Sequence, residues 1–151
     1  MHRVRFLALW IVAVGCACGA QAAPARIIKV LPHLLDREGR SSLSPSLYER
    51  DAYQLVLRKN PAQCTGLRFD VQWRAGAAGA SHLKLRVEIL GSKTPKPLAV
   101  ERAVPRSRWF HRWNSIALDR DGFQQVGEVV AWRATIWDGD KLLAEQKSFL
   151  W

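Results

Sequence analysis

The chain reads as an all-β protein, an antiparallel sandwich of about seven short strands, and three observations carry that prediction. Residues 67–74 and 82–89 alternate apolar and polar side chains without a break, the period of a strand with one buried and one wet face. Further runs rich in Val, Ile, Leu and Trp recur about every ten residues, divided by clusters of Gly, Pro, Asp and Ser. Near the carboxyl end, Asp138-Gly139 stands between two such runs as a two-residue hairpin turn would.

The amino terminus precedes this pattern and has another logic. Arg3 and Arg5, an apolar stretch over residues 6–15 and small residues ending at Ala20-Gln21-Ala22 follow in the order of a secretory signal. Residues 1–22 are therefore expected to be cleaved, giving an exported product, periplasmic or secreted. The apolar run is shorter than the roughly 20 residues a bilayer span needs, and none like it follows, so no transmembrane span is expected in the mature chain. Ala13-Val14-Gly15-Cys16 offers a second route, because it is similar to a bacterial lipobox with Ala13 where leucine is usual. On that route the protein is lipid-anchored through Cys16.

Cleavage after Ala22 leaves residues 23–151 as one domain, long enough to bury about two thirds of its unfolded surface. It keeps 21 of the 23 Lys and Arg residues and all 13 acids, a net charge of +8, which favours anionic partners. Cys16 and Cys18 leave with the signal. Cys64 stands alone, and no intramolecular disulfide is expected in the mature chain.

The elements follow in order. Residues 26–35, β-branched at Ile27, Ile28 and Val30 and interrupted by Pro32, suit an edge strand, since proline cannot donate to an inner ladder. Asp36 to Arg40 is a polar turn. Ser44-Pro45 offers a helix cap, and Leu47, Tyr48, Ala52, Leu55 and Val56 follow at helical spacing until Asn60-Pro61, so a short helix is expected near residues 45–59. Tyr53, Leu55 and Leu57 also alternate, which leaves a strand open for its second half. The two alternating stretches are expected to pair as an antiparallel hairpin across residues 75–81. Residues 98–104 and 109–118 give two more strands, and 119–122 closes the second as a turn. Residues 129–137 and 142–151 make the last pair.

Strand number and spacing over residues 26–151, Trp73 on an early core strand and the turn at Asp138-Gly139 resemble the immunoglobulin-like and fibronectin type III-like β-sandwich domains of bacterial exported proteins. The resemblance implies a fold and no particular activity. The chain departs from true immunoglobulin domains in having no cysteine pair.

Catalysis needs a nucleophile or base with partners, or a metal with ligands, and no such set is spaced as a motif. H-E-x-x-H, C-x-x-C, G-x-S-x-G and the glycine-rich phosphate loop are all missing. Asp119 with Asp121, and Asp138 with Asp140, lie in turns where such side chains bond their own backbone; a calcium site is their other reading. The expectation is a non-catalytic binding or structural module of the cell envelope, with no catalytic residue, metal or cofactor.

One stretch departs from a plain surface. Arg102, Arg106, Arg108, His111 and Arg112 interleave with Trp109, Phe110 and Trp113, and guanidinium groups with ring faces suit an anionic polymer. Arg102, Arg106, Arg108, Trp109, His111, Arg112 and Trp113 are the candidate ligand-binding residues, with an anionic polymer or an envelope protein as partner and no specific nucleic acid. A charged edge strand has the same composition; alternation puts Phe110, Ile116 and Leu118 on one face and Trp109 and Trp113 on the other. Two further classes are open. One is a small periplasmic enzyme using Cys64 and a histidine, His111 first among His33, His82 and His111. The other is an outer-membrane β-barrel, suggested by the terminal Phe149-Leu150-Trp151, against which Glu145 and Lys147 fall on the face that would meet lipid.

Intact mass of the exported product checks the processing. A chain beginning at Ala23 is expected, and one beginning at an acylated Cys16 would establish the lipoprotein route instead.

Overall fold

The two strictly alternating stretches become β2 (Gly66–Arg74) and β3 (Leu83–Gly91), but they do not pair with each other. In the computed structural model, which describes residues 25–74, 82–105 and 112–151, they lie in different sheets and face one another across the core. The other strands are β1 (Arg26–Leu35), β4 (Leu98–Ala103), β5 (Arg112–Leu118), β6 (Val129–Asp138) and β7 (Lys141–Lys147). They form an antiparallel sandwich of two open sheets, ordered β1-β2-β5 and β4-β3-β6-β7. The expected hairpin fails for a physical reason. Alternation fixes which face of a strand is buried but not which strand lies beside it.

That face is filled as the alternation demands. Leu67, Phe69, Val71 and Trp73 from β2 oppose Leu83, Leu85, Val87 and Ile89 from β3, all buried in one cluster with Ile116, Ala134 and Ile136. Trp73 is 2% exposed, and its indole N–H donates to Asn114 Oδ1 at 2.8 Å, so its one polar atom is satisfied. The last hairpin is shifted by one residue from the expectation. Asp138 pairs with Lys141, so Gly139 and Asp140 form the loop, and Gly139 takes the positive φ of 55° that a primed turn needs at its first position.

Helix α1 (Leu47–Lys59) falls in the expected place, and the helical reading of Tyr53 to Leu57 prevails over the strand. Its cap is Ser46 rather than Ser44, accepting from the Glu49 N–H. Its apolar residues do not face inward: Leu47, Tyr48, Leu55 and Val56 are exposed, while Gln54 and Leu57 are buried. A second helix, α2 (Arg120–Val126), stands in place of the expected closing turn, with Asp119 as its cap. It packs on the end of β3 at Gly91, where a Cβ would meet the Val126 carbonyl oxygen at 2.0 Å.

Asp36 ties α1 to the sheet. Its Oδ1 accepts from the Glu38 and Arg40 N–H groups at 2.9 and 2.8 Å, and its Oδ2 from Arg40 Nε and the Tyr53 hydroxyl at 2.9 and 2.7 Å. The Thr65 hydroxyl donates to its carbonyl, bringing in the approach to β2. Burial alone would raise its pKa, but these donors outweigh that and hold it at about 2 against an ordinary 3.8. Because the folded value is the lower one, the carboxylate stabilises the fold above pH 3.8 and the contribution fades as pH falls toward 2.

Two outcomes are expected in denaturant titrations. Asp36→Asn costs about 2 kcal/mol at pH 7, and the variant loses less further stability than the parent between pH 4 and pH 2. Trp73→Ala costs on the order of 3–5 kcal/mol, by opening a cavity between the sheets.

Candidate functional site

The strand register sorts the outer face of the three-stranded sheet into rows. Arg26 lies opposite Arg74, and Lys29, Gln72 and Trp113 form the next row across all three strands. Arg26, Lys29 and Arg74 are exposed and make no ion pair among the described residues, and Trp113 is 49% exposed. Two arginines directly opposite on a sheet repel, so nothing in the fold favours that pairing.

One row further along, charge is consumed internally. Asp70 accepts from Arg68 Nη2 at 3.0 Å and from the Ser115 hydroxyl, and lies 3.4 Å from His33 Nε2. Burial lowers the pKa of His33, with the Arg50 and Arg68 charges adding to that against the pull of Asp70, so the imidazole is neutral at pH 7. Asp70 sits between His33 and Ser115, so the histidine is not placed to take the serine's proton.

The four-stranded sheet treats its charges differently. Lys84, Glu101, Arg86, Glu88, Arg133 and Glu145 form one continuous chain of ion pairs across β4, β3, β6 and β7, three cations against three acids. Within that chain the charges balance, while Lys147, opposite Arg133 in the β6–β7 register, has no ion pair among the described residues. Arg26, Lys29 and Arg74 make a cluster of unpaired cations at one end of the other sheet, where β1 and β5 begin and β2 ends.

Of the residues singled out in the sequence, Arg106, Arg108, Trp109 and His111 lie outside the described residues. Arg112 opens β5 opposite Trp73, and Trp113 points outward beside Lys29 and Gln72, as alternation predicts. Arg102 serves the fold: its Nη1 donates to the Ser115 carbonyl at 2.7 Å, joining the edge of one sheet to the edge of the other. Arg26, Lys29 and Arg74 escape a sequence reading because they come together only through the β1–β2 register. The one available signal is Arg74 itself, the exposed end of an alternating strand.

Cys64 lies at the opposite end of the sandwich. Its thiol donates to the Leu57 carbonyl at 3.4 Å, and burial raises its pKa, which keeps it protonated at neutral pH. It lines a cleft of about 840 Å³ among whose lining residues there is no histidine. His82 precedes β3 at the far end, and no three of His, Cys, Asp and Glu gather as metal ligands among the described residues. Nor is any described helix long and apolar enough to cross a membrane. No protein-family model, curated protein or solved structure matches the chain.

Alkylation of Cys64 at pH 8 is expected to run slower in the folded chain than in the unfolded one, because less of the raised thiol is ionised. A faster rate in the folded chain, read by peptide mass, would instead place a thiolate there.

Proposed function

We propose that the protein is an exported, non-catalytic binding module of the cell envelope that holds an anionic polymer against the cationic end of its three-stranded sheet. The observation that carries this reading is the cluster of cations that the β1–β2 register brings together. Arg26, Lys29 and Arg74 stand without acidic partners among the described residues, beside an exposed indole, while the cations of the other sheet's ion-pair chain are matched one for one. A polyanion gains by releasing counterions there, and Trp113 adds a face for stacking on a sugar or base. Retaining Arg26 opposite Arg74 costs the sheet some stability, the kind of local conflict that a binding surface accounts for.

The fold supports an immunoglobulin-like module of the fibronectin type III kind. From β2 the chain crosses to the other sheet at β3, adds β4 beside it, returns to set β5 against β2, and crosses again to set β6 against β3. This is a Greek-key path with three strands on one side and four on the other. Export is supported by the order of Arg3, Arg5, the apolar stretch and Ala20-Gln21-Ala22.

Heparin affinity chromatography tests the reading. Changing Arg26, Lys29 and Arg74 together to Gln is expected to weaken retention and to lower the slope of log affinity against log salt by about two to three. The melting temperature holds or rises, since a like-charge pair is removed. Changing Arg106, Arg108 and Arg112 to Gln is expected to act in the same direction. Retention that salt does not weaken, or a triple variant that elutes with the parent, overturns the polymer reading and leaves an envelope protein as the partner.

A further inference from the structure

The cleft beside Cys64 is a second feature, at the other end of the molecule and independent of the polymer surface. It opens between the two sheets where β2 and β6 begin, with α1 on one side and α2 on the other. Its lining mixes polar groups with an apolar floor made by Leu34 from one sheet, Val129 and Trp132 from the other and Phe123 from α2, over the buried Leu57 and Leu67. Its volume of about 840 Å³ falls in the range of roughly 300–1,000 Å³ taken by small-molecule sites.

The charge around it is one-sided. Arg58, Lys93 and Arg120 are exposed lining residues, from α1, the β3–β4 connection and α2, and none forms an ion pair among the described residues. Lys93 Nζ donates to the Gln124 carbonyl at 3.2 Å, which leaves it further donors. Glu128 is the one acid in the lining. An apolar floor beside three cations that form no ion pair among the described residues is the complement of a hydrocarbon chain with an anionic head. A sugar polymer would leave Leu34, Val129 and Trp132 without an apolar partner.

We infer that this cleft binds an anionic amphiphile, its chain between the sheets against Trp132 and its carboxylate or phosphate among Arg58, Lys93 and Arg120. Chain burial supplies affinity, and the cations select the head.

Cys64 reports occupancy, since it lines the same cleft. Its alkylation by iodoacetamide in the full chain, read at the Cys64 peptide, is measured with dodecanoate, dodecyl phosphate, dodecyl maltoside and dodecyltrimethylammonium, each below its micelle concentration. The two anionic probes are expected to protect the thiol and the neutral and cationic ones to protect it weakly. Whether dodecanoate or dodecyl phosphate protects better identifies the head. Extending the carboxylate from eight to twelve carbons should tighten binding up to about fourfold per methylene. Changing Arg58, Lys93 and Arg120 to Gln should weaken the anionic probes about tenfold or more and leave dodecyl maltoside unchanged. These exposed residues leave the fold intact, which unchanged circular dichroism confirms. Val130→Asp, an acid placed in the lining, is the second variant and should repel the same two probes. Equal protection by all four amphiphiles, protection by none, or protection by anionic vesicles alone would overturn the inference.

Discussion

A buried carboxylate, Asp36, decides where the α1 insertion lies against the sandwich. A carboxylate taken out of water needs compensation, and this one receives four donors from Glu38, Arg40 and Tyr53. Through Tyr53 it sets the rotation of α1, and that rotation is consistent with Gln54 and Leu57 turning inward while Leu47, Tyr48, Leu55 and Val56 turn out. The helix is held by polar bonds and one buried leucine rather than by an apolar stripe. Its carboxyl-terminal turn, with Leu57 and Arg58, then becomes a wall of the cleft.

The same chain handles charge in three ways. On the four-stranded sheet, three cations and three acids satisfy one another in a single chain of ion pairs. In the middle of the three-stranded sheet, a single acid, Asp70, serves Arg68, Ser115 and a neutral His33. At the two ends of the sandwich, cations stand without ion-pair partners among the described residues, beside an exposed indole at one end and a cleft with an apolar floor at the other. The ends are about 30 Å apart along a nine-residue strand, beyond a Debye length of about 8 Å at physiological salt. Occupancy of one end therefore leaves the potential at the other almost unchanged.

The sandwich is legible in the sequence because alternation is a local property, and residues 67–74 and 82–89 can bury only one face. Pairing is not legible, since Phe69 and Leu85 carry the same local signal whether their strands lie side by side or face to face. The α1 segment lies where its spacing and caps put it, but its buried face is not the apolar one; a spaced apolar set suggests an inward stripe, and here Asp36 and Gln54 override it with hydrogen bonds. Turn chemistry marks the glycine of the last hairpin but not its register. Arg26, Lys29 and Arg74 are separated by as many as 48 positions in the chain, and so are Arg58, Lys93 and Arg120 by 62. Only the fold makes either group a set.

Gln54 has one more effect on how this molecule meets others. Its side-chain amide accepts from the Leu34 N–H at 2.8 Å and donates to the Leu34 carbonyl at 2.9 Å, reproducing on the outer side of β1 the pair of bonds a neighbouring strand would make. Pro32 offers no N–H nearby, and the irregularity between Ile27 and Lys29 bends the remainder. β1 is thus a sheet margin already closed by its own helix, unable to template an incoming chain at Leu34. On the other side of that sheet Arg102 reaches across from β4 to the Ser115 carbonyl of β5. Strand addition, whether by a partner peptide or in self-association, is thereby steered toward the edges of the other sheet, β4 and β7.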